Sequence, residues 1–211
     1  MPGIAILLAA GRSVRMQGAD KRWLAVEGVP MALRAARAIE AAPVSRRLAV
    51  MRPTDTELAG RLAERGFECV VNPVPDRGRA SSLACAWAAL PQAAPVLIAL
   101  ADLPELTGTL VCELWQRFCA MDERAILIPR YQGQWGHPRC LGADHVAALR
   151  AQAGADSVPA YLARHPEATR FWDVDDPAVV RDIDTPADYA AFMAKSDADM
   201  GVVMKAAGIA K

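Results

Sequence analysis

The 211-residue sequence contains no C-x-x-C pair, no apolar run of membrane-spanning length and no excess of either charge. Its five cysteines, Cys69, Cys85, Cys112, Cys119 and Cys140, are odd in number and scattered. That pattern argues against a disulfide framework and a zinc ribbon, and it points to a reducing cytoplasm. No stretch approaches the ~18 apolar residues that span a bilayer, and no positively charged leader precedes Ile4, so a soluble protein is expected. Lysine plus arginine equals aspartate plus glutamate at 24 each. This removes the electrostatic case for a nucleic-acid or membrane partner and leaves a small molecule. Hydrophobic residues at 53% and charged residues at 23% are globular values, and the length suits one α/β domain with a proper core rather than two. One domain is expected over residues 1–194. Residues 195–211, where Lys, Asp and Gly interleave with Ala and Val, read as a C-terminal tail.

The two common glycine-loop signatures are also absent. Gly11 to Gly18 holds neither G-x-G-x-x-G nor a Gly-Lys-Ser/Thr ending, which lowers the readings of a dinucleotide oxidoreductase and a P-loop ATPase. What stands there is a short continuous apolar run, Ile4 to Leu8, followed by Ala9, Ala10, Gly11, Arg12, Ser13, Val14, Arg15 and, after Gly18, Asp20 and Lys21. The run suits a parallel strand covered on both faces. Ala9, Ala10 and Gly11 remove side-chain bulk so that backbone N–H groups can approach an anion or a base. Arg12, Arg15 and Lys21 add positive charge, and the combination suits a nucleoside triphosphate.

Along the chain, apolar runs alternate with helix formers. Val26 to Pro30 reads as a turn, and Met31 onward as the first crossover helix. Leu48 to Met51 reads as a strand. Thr54 to Glu57 matches a capping box opening a helix through about Arg65, and Cys69 to Val71 is a third strand. Such alternation predicts a Rossmann-like, mostly parallel sheet flanked by helices in three layers, with the binding crevice at the strands' C-terminal ends. Asp76 to Leu83 opens a helix in which Ser81 or Ser82 is either an N-cap or, with Gly78, part of a nucleotide-facing helix end. Val96 to Ala101 is the strongest buried-strand signal. Asp102 after it is either a turn residue before Pro104 or a ligand for Mg²⁺, a hard dication that takes oxygen donors.

Tyr131 to Pro138 is rich in glycine and aromatics and reads as irregular, a mobile wall over an acceptor formed by Gly136, His137 and Pro138. His137 reads as a hydrogen-bonding turn residue rather than a proton donor, and with Cys140 it makes no metal site. His145 and His165 have no assignable role. Alternation about Ile183 places the Asp182 and Asp184 carboxylates on one face of an extended segment. Thr185, Pro186 and Asp188 fit the N-cap, N1 and N3 positions of a last helix.

Taken in order, these stretches resemble the MobA-like nucleotidyltransferases, a family that includes the molybdenum cofactor cytidylyl- and guanylyltransferases. The opening loop is similar to L-A-(A/G)-G-x-S-x-R-M-G-x-(D/P)-K, with Gln17 inserted before Gly18. Gly78 to Leu83 is similar to G-x-(S/A)-S-S-L, Ala101 to Pro104 to G-D-(M/L)-P with alanine for glycine, Gly133 to Pro138 to G-x-x-G-H-P, and Asp182 to Asp188 to D-(I/V)-D-T-P-x-D. The G-D-x-G-x-R element is replaced by Ala153 to Pro159. The resemblance implies a Mg²⁺-dependent transfer of a nucleoside monophosphate to a phosphorylated acceptor, with release of pyrophosphate. It implies nucleotide contacts from Leu8, Ala9, Ala10, Gly11, Arg12, Ser13, Gly78, Ser81 and Ser82, catalytic roles for Arg15, Lys21 and Asp102, and metal ligation by Asp102 with Asp184, or Asp182 in its place. CTP is favoured over GTP, and the implied acceptor is molybdopterin carrying molybdenum, with a molybdoenzyme client. The rivals are a sugar-phosphate nucleotidyltransferase and a non-catalytic nucleotide- or cofactor-binding chaperone.

Overall fold

The computed structural model describes residues 3–90, 92–122, 124–152 and 157–206. Strand β1 (Ile4–Leu8) leads through two 3₁₀ turns into a small hairpin, β2 (Ala25–Val26) and β3 (Val29–Pro30), where a turn was expected. Then follow α1 (Met31–Glu40), β4 (Arg46–Met51), α2 (Thr56–Ala63), β5 (Glu68–Val71), α3 (Arg79–Ala89), β6 (Val96–Leu100) and α4 (Gly108–Cys119). The C-terminal half adds β7 (Ile126–Tyr131), β8 (Gln134–Trp135), β9 (Arg139–Leu141), α5 (Ala143–Ala151), α6 (Val158–Ala163), β10 (Thr169–Asp173) and α7 (Pro186–Ala206). The last helix crosses position 195 without a break.

The main sheet has eight strands in the order β10-β7-β9-β6-β1-β4-β5, with β8 paired to β7. Pairs β1–β4, β1–β6, β4–β5 and β7–β10 are parallel, and β9 runs antiparallel to both β6 and β7. Every residue of β6 is buried, as a strand covered on both faces requires. Alternate residues serve opposite layers. Ala5, Leu7, Leu97 and Ala99 pack with α1, α2 and α4, whereas Ile4, Ile6, Val96 and Ile98 pack with α3, α5 and α6. Seven of the ten residues of α1 are buried, four of them alanine; small side chains let that helix lie close on the sheet. The chain leaves β1 for β4 and β5 on one side and returns to β6 on the other. A crevice therefore opens over the C-terminal ends of β1 and β6, the switch point at which such sheets bind ligands.

Two local expectations are corrected. The first part of Tyr131 to Pro138 is regular rather than loose, only Gly136 to Pro138 lying outside strand and turn: β7 and β8 form a two-residue hairpin at Gln132 and Gly133, with φ of 48° and 83°. This is the positive-φ turn that matches strand twist, and Gly133 adopts it without strain. Gly136 is buried, and a Cβ there would lie 2.6 Å from the Val179 carbonyl oxygen, so the glycine permits a close backbone approach. The chain then passes the cis His137–Pro138 bond into β9.

The capping box before α2 does not form. Asp55 is the N-cap residue but makes no side-chain bond to the helix, because its carboxylate accepts charge-assisted bonds from Arg22 and Arg52 instead. The cap expected at α7 from Thr185 and Asp188 does form, and it closes as a reciprocal box. The Thr185 amide donates to Asp188 Oδ2 at 2.7 Å, and the Asp188 amide to Thr185 Oγ1 at 3.1 Å. Among the described residues, no helix is long and apolar enough to cross a membrane.

Candidate active site

The loop leaving β1 is built around a buried arginine. Arg22, 2% exposed, donates to the Ala9 carbonyl at 2.6 Å, to both Asp20 oxygens at 2.9 and 2.6 Å, and to Asp55 Oδ1 at 2.8 Å. Arg52 bonds the same two aspartates. A buried guanidinium needs this density of acceptors, and meeting the need ties the loop to both β1 and the start of α2. The Lys21 amide donates to Ser13 Oγ at 3.1 Å, so the Ser13 hydroxyl serves the loop itself. Ser13 and Gln17 both take left-handed φ values, 54° and 52°. The extra Gln17 is thus absorbed at the end of a 3₁₀ turn, and Lys21 still reaches the carboxylates.

Lys21 Nζ lies 2.6 Å from Asp102 Oδ2, 2.8 Å from Asp184 Oδ1 and 3.1 Å from the Ile183 carbonyl. Arg15 reaches Asp184 Oδ2 at 2.6 Å. The Ile183 amide donates to the Asp102 carbonyl at 3.1 Å, which clamps the segment before α7 to the end of β6. Asp102, Asp182 and Asp184 each offer an oxygen within 4.8 Å of the others. Asp102 is buried, and its Oδ1 has no hydrogen-bond partner.

Burial pulls Lys21 down, but the Asp102 and Asp184 carboxylates outweigh it and hold the ammonium above its ordinary pKa. Burial likewise lifts Asp184, yet Lys21 and Arg15 bring it below the usual carboxylate value. For Asp182, burial followed by repulsion from Asp102 and Asp184 outweighs the attraction of Lys21 and raises the pKa. The electrostatics therefore distinguish Asp184, held ionised, from Asp182.

A cavity of about 340 Å³ opens above this cluster. Of the residues expected at the site, Leu8, Ala9, Ala10, Gly11, Arg12, Ser13, Arg15, Lys21, Gly78, Ser82, Asp102 and Asp184 line it. Asp182 belongs to the carboxylate cluster without lining the cavity. Ser81 is turned away: its hydroxyl has the Gly78 and Val74 carbonyls within donating distance, at 2.8 and 3.1 Å, for its single proton and accepts from Asn72 at 2.9 Å. Neither serine is the N-cap of α3, because Gly78 occupies that position and both serines already lie in the first helical turn.

Gly136, His137 and Pro138 lie outside this cavity. The His137 amide bonds the Val179 carbonyl at 2.8 Å, and its Nδ1 sits 3.4 Å from the Ile98 carbonyl. Burial, and then the charge of Arg139, push the imidazole down to about 3. It is neutral near pH 7 and carries no proton to donate as an imidazolium. The replaced G-D-x-G-x-R stretch includes residues 153–156, which lie outside the described residues. Sequence reasoning missed Arg22, Asp76 and Arg79 on the cavity wall, and Asp20, Arg52 and Asp55 behind it.

The comparisons agree with this architecture. The chain resembles Rv0371c from Mycobacterium tuberculosis H37Rv at 23% identity and a TM-score of 0.76, covering 91% of this chain and 97% of that one. A manganese complex of Rv0371c matches at 20% identity and a TM-score of 0.72, over 90% and 97%. A nucleotidyl transferase from Methanothermobacter matches at 19% identity and 0.75, over 90% and 95%. Molybdopterin-guanine dinucleotide biosynthesis protein A from Archaeoglobus fulgidus matches at 17% and 0.62, over 88% and 94%. No curated protein sequence matches the chain. The family model for the MobA-like NTP transferase domain matches residues 5–169. By that match, over most of its length, the chain belongs to the MobA-like NTP transferases, a nucleotidyltransferase family.

Proposed function

We propose that the protein transfers a cytidylyl group from CTP to a phosphorylated acceptor, molybdenum-loaded molybdopterin, with release of pyrophosphate. The observation that carries this reading is the cluster at the switch point: Lys21 and Arg15 on the Asp102 and Asp184 carboxylates, with Asp102 Oδ1 buried and unpaired. The donor set is all oxygen, which fits Mg²⁺. Asp102 and Asp184 would hold it, and an orphaned buried carboxylate oxygen is the kind of atom such an ion satisfies. When bound, the ion supplies positive charge to phosphate oxygens. The manganese complex of the similar Rv0371c supports a divalent ion at such a fold.

The chain's own groups do the rest by positioning and charge. Lys21, Arg15 and Arg12 bind the triphosphate and stabilise charge on the departing pyrophosphate. The side-chain-poor stretch Ala9, Ala10 and Gly11, with Ser82 also on the cavity wall, leaves room for a base to be read by backbone groups, and the preference for CTP rests on the likeness of this stretch and of Gly78 to Leu83 to the cytidylyl-transferring branch. No general base is needed, because a phosphomonoester has a second pKa of about 6 and is ionised near neutral pH. The neutral His137 is consistent with that. Pyrophosphate release with Mg²⁺ and loaded molybdopterin, compared across CTP, GTP, ATP and UTP, tests the proposal. Release with CTP supports it, and release with GTP alone moves the protein to guanylyl transfer. Silence with all four overturns the acceptor and calls for sugar phosphates. Chelation with EDTA should abolish turnover, and added Mg²⁺ should restore it.

A further inference from the structure

Most arginines in this fold face a carboxylate. Two that adjoin the active site do not. Arg79 opens α3 and lines the central cavity, and among the described residues its side chain makes no hydrogen bond or ion pair. Arg139 opens β9, and only its Nε is engaged, donating to the Gly136 carbonyl at 3.1 Å.

The sheet brings the two together. Arg139 pairs opposite Ile98, the middle residue of β6. Cys140 packs with the α1/α4 layer and Leu141 with the α3/α5 layer, so strand alternation places Arg139 on the α3 side, where Arg79 begins that helix. Burial, and then the charge of Arg79, lower Arg139 to about 10, and both arginines bear on the neighbouring His137. The protein thus holds two unneutralised guanidinium groups close enough for their charges to interact, Arg139 half-buried and Arg79 exposed, and like-charge repulsion disfavours that arrangement unless an anion lies between them.

We propose that Arg79 and Arg139 form the subsite for the acceptor's anionic group, a phosphomonoester lying on the β9 side of the nucleotide. This rests on the nucleotidyltransferase reading. The triphosphate already has Arg12, Arg15 and Lys21 on the β1 side of the cavity. Arg139 does not line that cavity and stands across β6 from β1, while Arg79 is shared between the two positions. Paired guanidinium forks match a phosphate dianion in shape and charge. In the transfer, an acceptor phosphate oxygen forms a bond to the α-phosphorus while the bond from that phosphorus to the bridging oxygen breaks. Pyrophosphate leaves with the electron pair. The doubly ionised phosphate gives up no proton, so two arginines and a neutral histidine suffice around it.

Calorimetric titration with inorganic phosphate tests the subsite, with and without a non-hydrolysable CTP analogue filling the cavity. Arg139→Gln should weaken phosphate binding by about tenfold or more, the size expected for a lost charge-assisted contact. It should leave the affinity for the CTP analogue within about twofold by the same arithmetic, and Arg139→Lys should recover part of the loss. Because the substitution relieves repulsion, the ligand-free variant should melt no lower than wild type. Arg79→Gln should weaken both ligands. Unchanged phosphate binding in Arg139→Gln overturns the proposal, as does an equal loss of nucleotide affinity or a marked fall in melting temperature. If wild type releases no pyrophosphate from any triphosphate but the phosphate loss persists, the anion subsite stands and only its assignment to an acceptor is overturned.

Discussion

Asp102→Asn separates a catalyst from a binding protein. The substitution keeps shape and removes one charge from a cluster in which Lys21 Nζ lies 2.6 Å from Asp102 Oδ2 and the two side chains are 12% and 11% exposed. At a charge separation of about 4 Å and an effective dielectric near 20, the lost attraction is about 4 kcal/mol before desolvation. Lys21 keeps Asp184 at 2.8 Å, and the same change removes repulsion between Asp102 and two carboxylates whose oxygens lie within 4.8 Å. These opposing terms are of similar size. The net effect on stability should be about 1 kcal/mol, a shift of about 2–4 °C in Tm for a chain of this length. Turnover has no such compensation, since Asp102 Oδ1 is the unpaired oxygen, and losing a preorganised electrostatic group should lower kcat by about a thousandfold. Pyrophosphate release, thermal melting and calorimetric nucleotide binding measured on one preparation read the three quantities separately. A kcat within tenfold of wild type would refute the reasoning, and a Tm collapse would show Asp102 to be structural.

Arg22→Met strips Asp20 and Asp55 of their buried partner and should cost about 3–5 kcal/mol, read as a lowered urea midpoint with faster proteolysis in the loop after β1; a change below 1 kcal/mol would mean that Arg52 alone suffices. His137 titrates near 3 when folded against an ordinary 6.5. The unfolded chain therefore binds the extra proton as pH falls from about 6.5 towards 3, and stability drops across that window. His137→Gln should flatten the stability–pH curve there, and an unchanged slope would show that other groups set it. Gly136→Ala drives a Cβ to 2.6 Å from the Val179 carbonyl and should destabilise by about 1–3 kcal/mol in chemical denaturation; a neutral outcome would show that the Val179 segment yields.

What the chain discloses before folding depends on the range of the interaction. The runs at β1 and β6 announce strands buried on both faces because their pattern is local, and the alternation about Ile183 correctly puts two carboxylates on one face beside Asp102. The Thr185 to Asp188 cap is equally local. Asp55 shows the opposite case. Its neighbours spell a capping box, but a buried guanidinium 33 positions away bonds it more strongly. In Tyr131 to Pro138, composition hid a hairpin whose geometry is specified by only Gln132 and Gly133. Arg139 gives no local sign of its setting, since its relation to Arg79 arises only when β9 slots between β6 and β7. Asn72 shows the same limit: its amide binds both Ser81 and Ser82, a link that no local pattern in either segment announces.

The Lys21 to Asp184 contact joins positions 163 residues apart, and Arg15 to Asp184 spans 169. A chain emerging from the ribosome therefore has no complete cavity above the carboxylates until Asp184, just ahead of α7, is made, however early β1 and β4 pair. The ligand becomes a sensor of finished folding. A nucleotide present at 100 times its Kd stabilises the native state by about 2.7 kcal/mol. Because residues 15–21 and 184, so far apart in sequence, meet in its pocket, that protection should extend to backbone amides throughout the sheet instead of remaining in the loops that touch it.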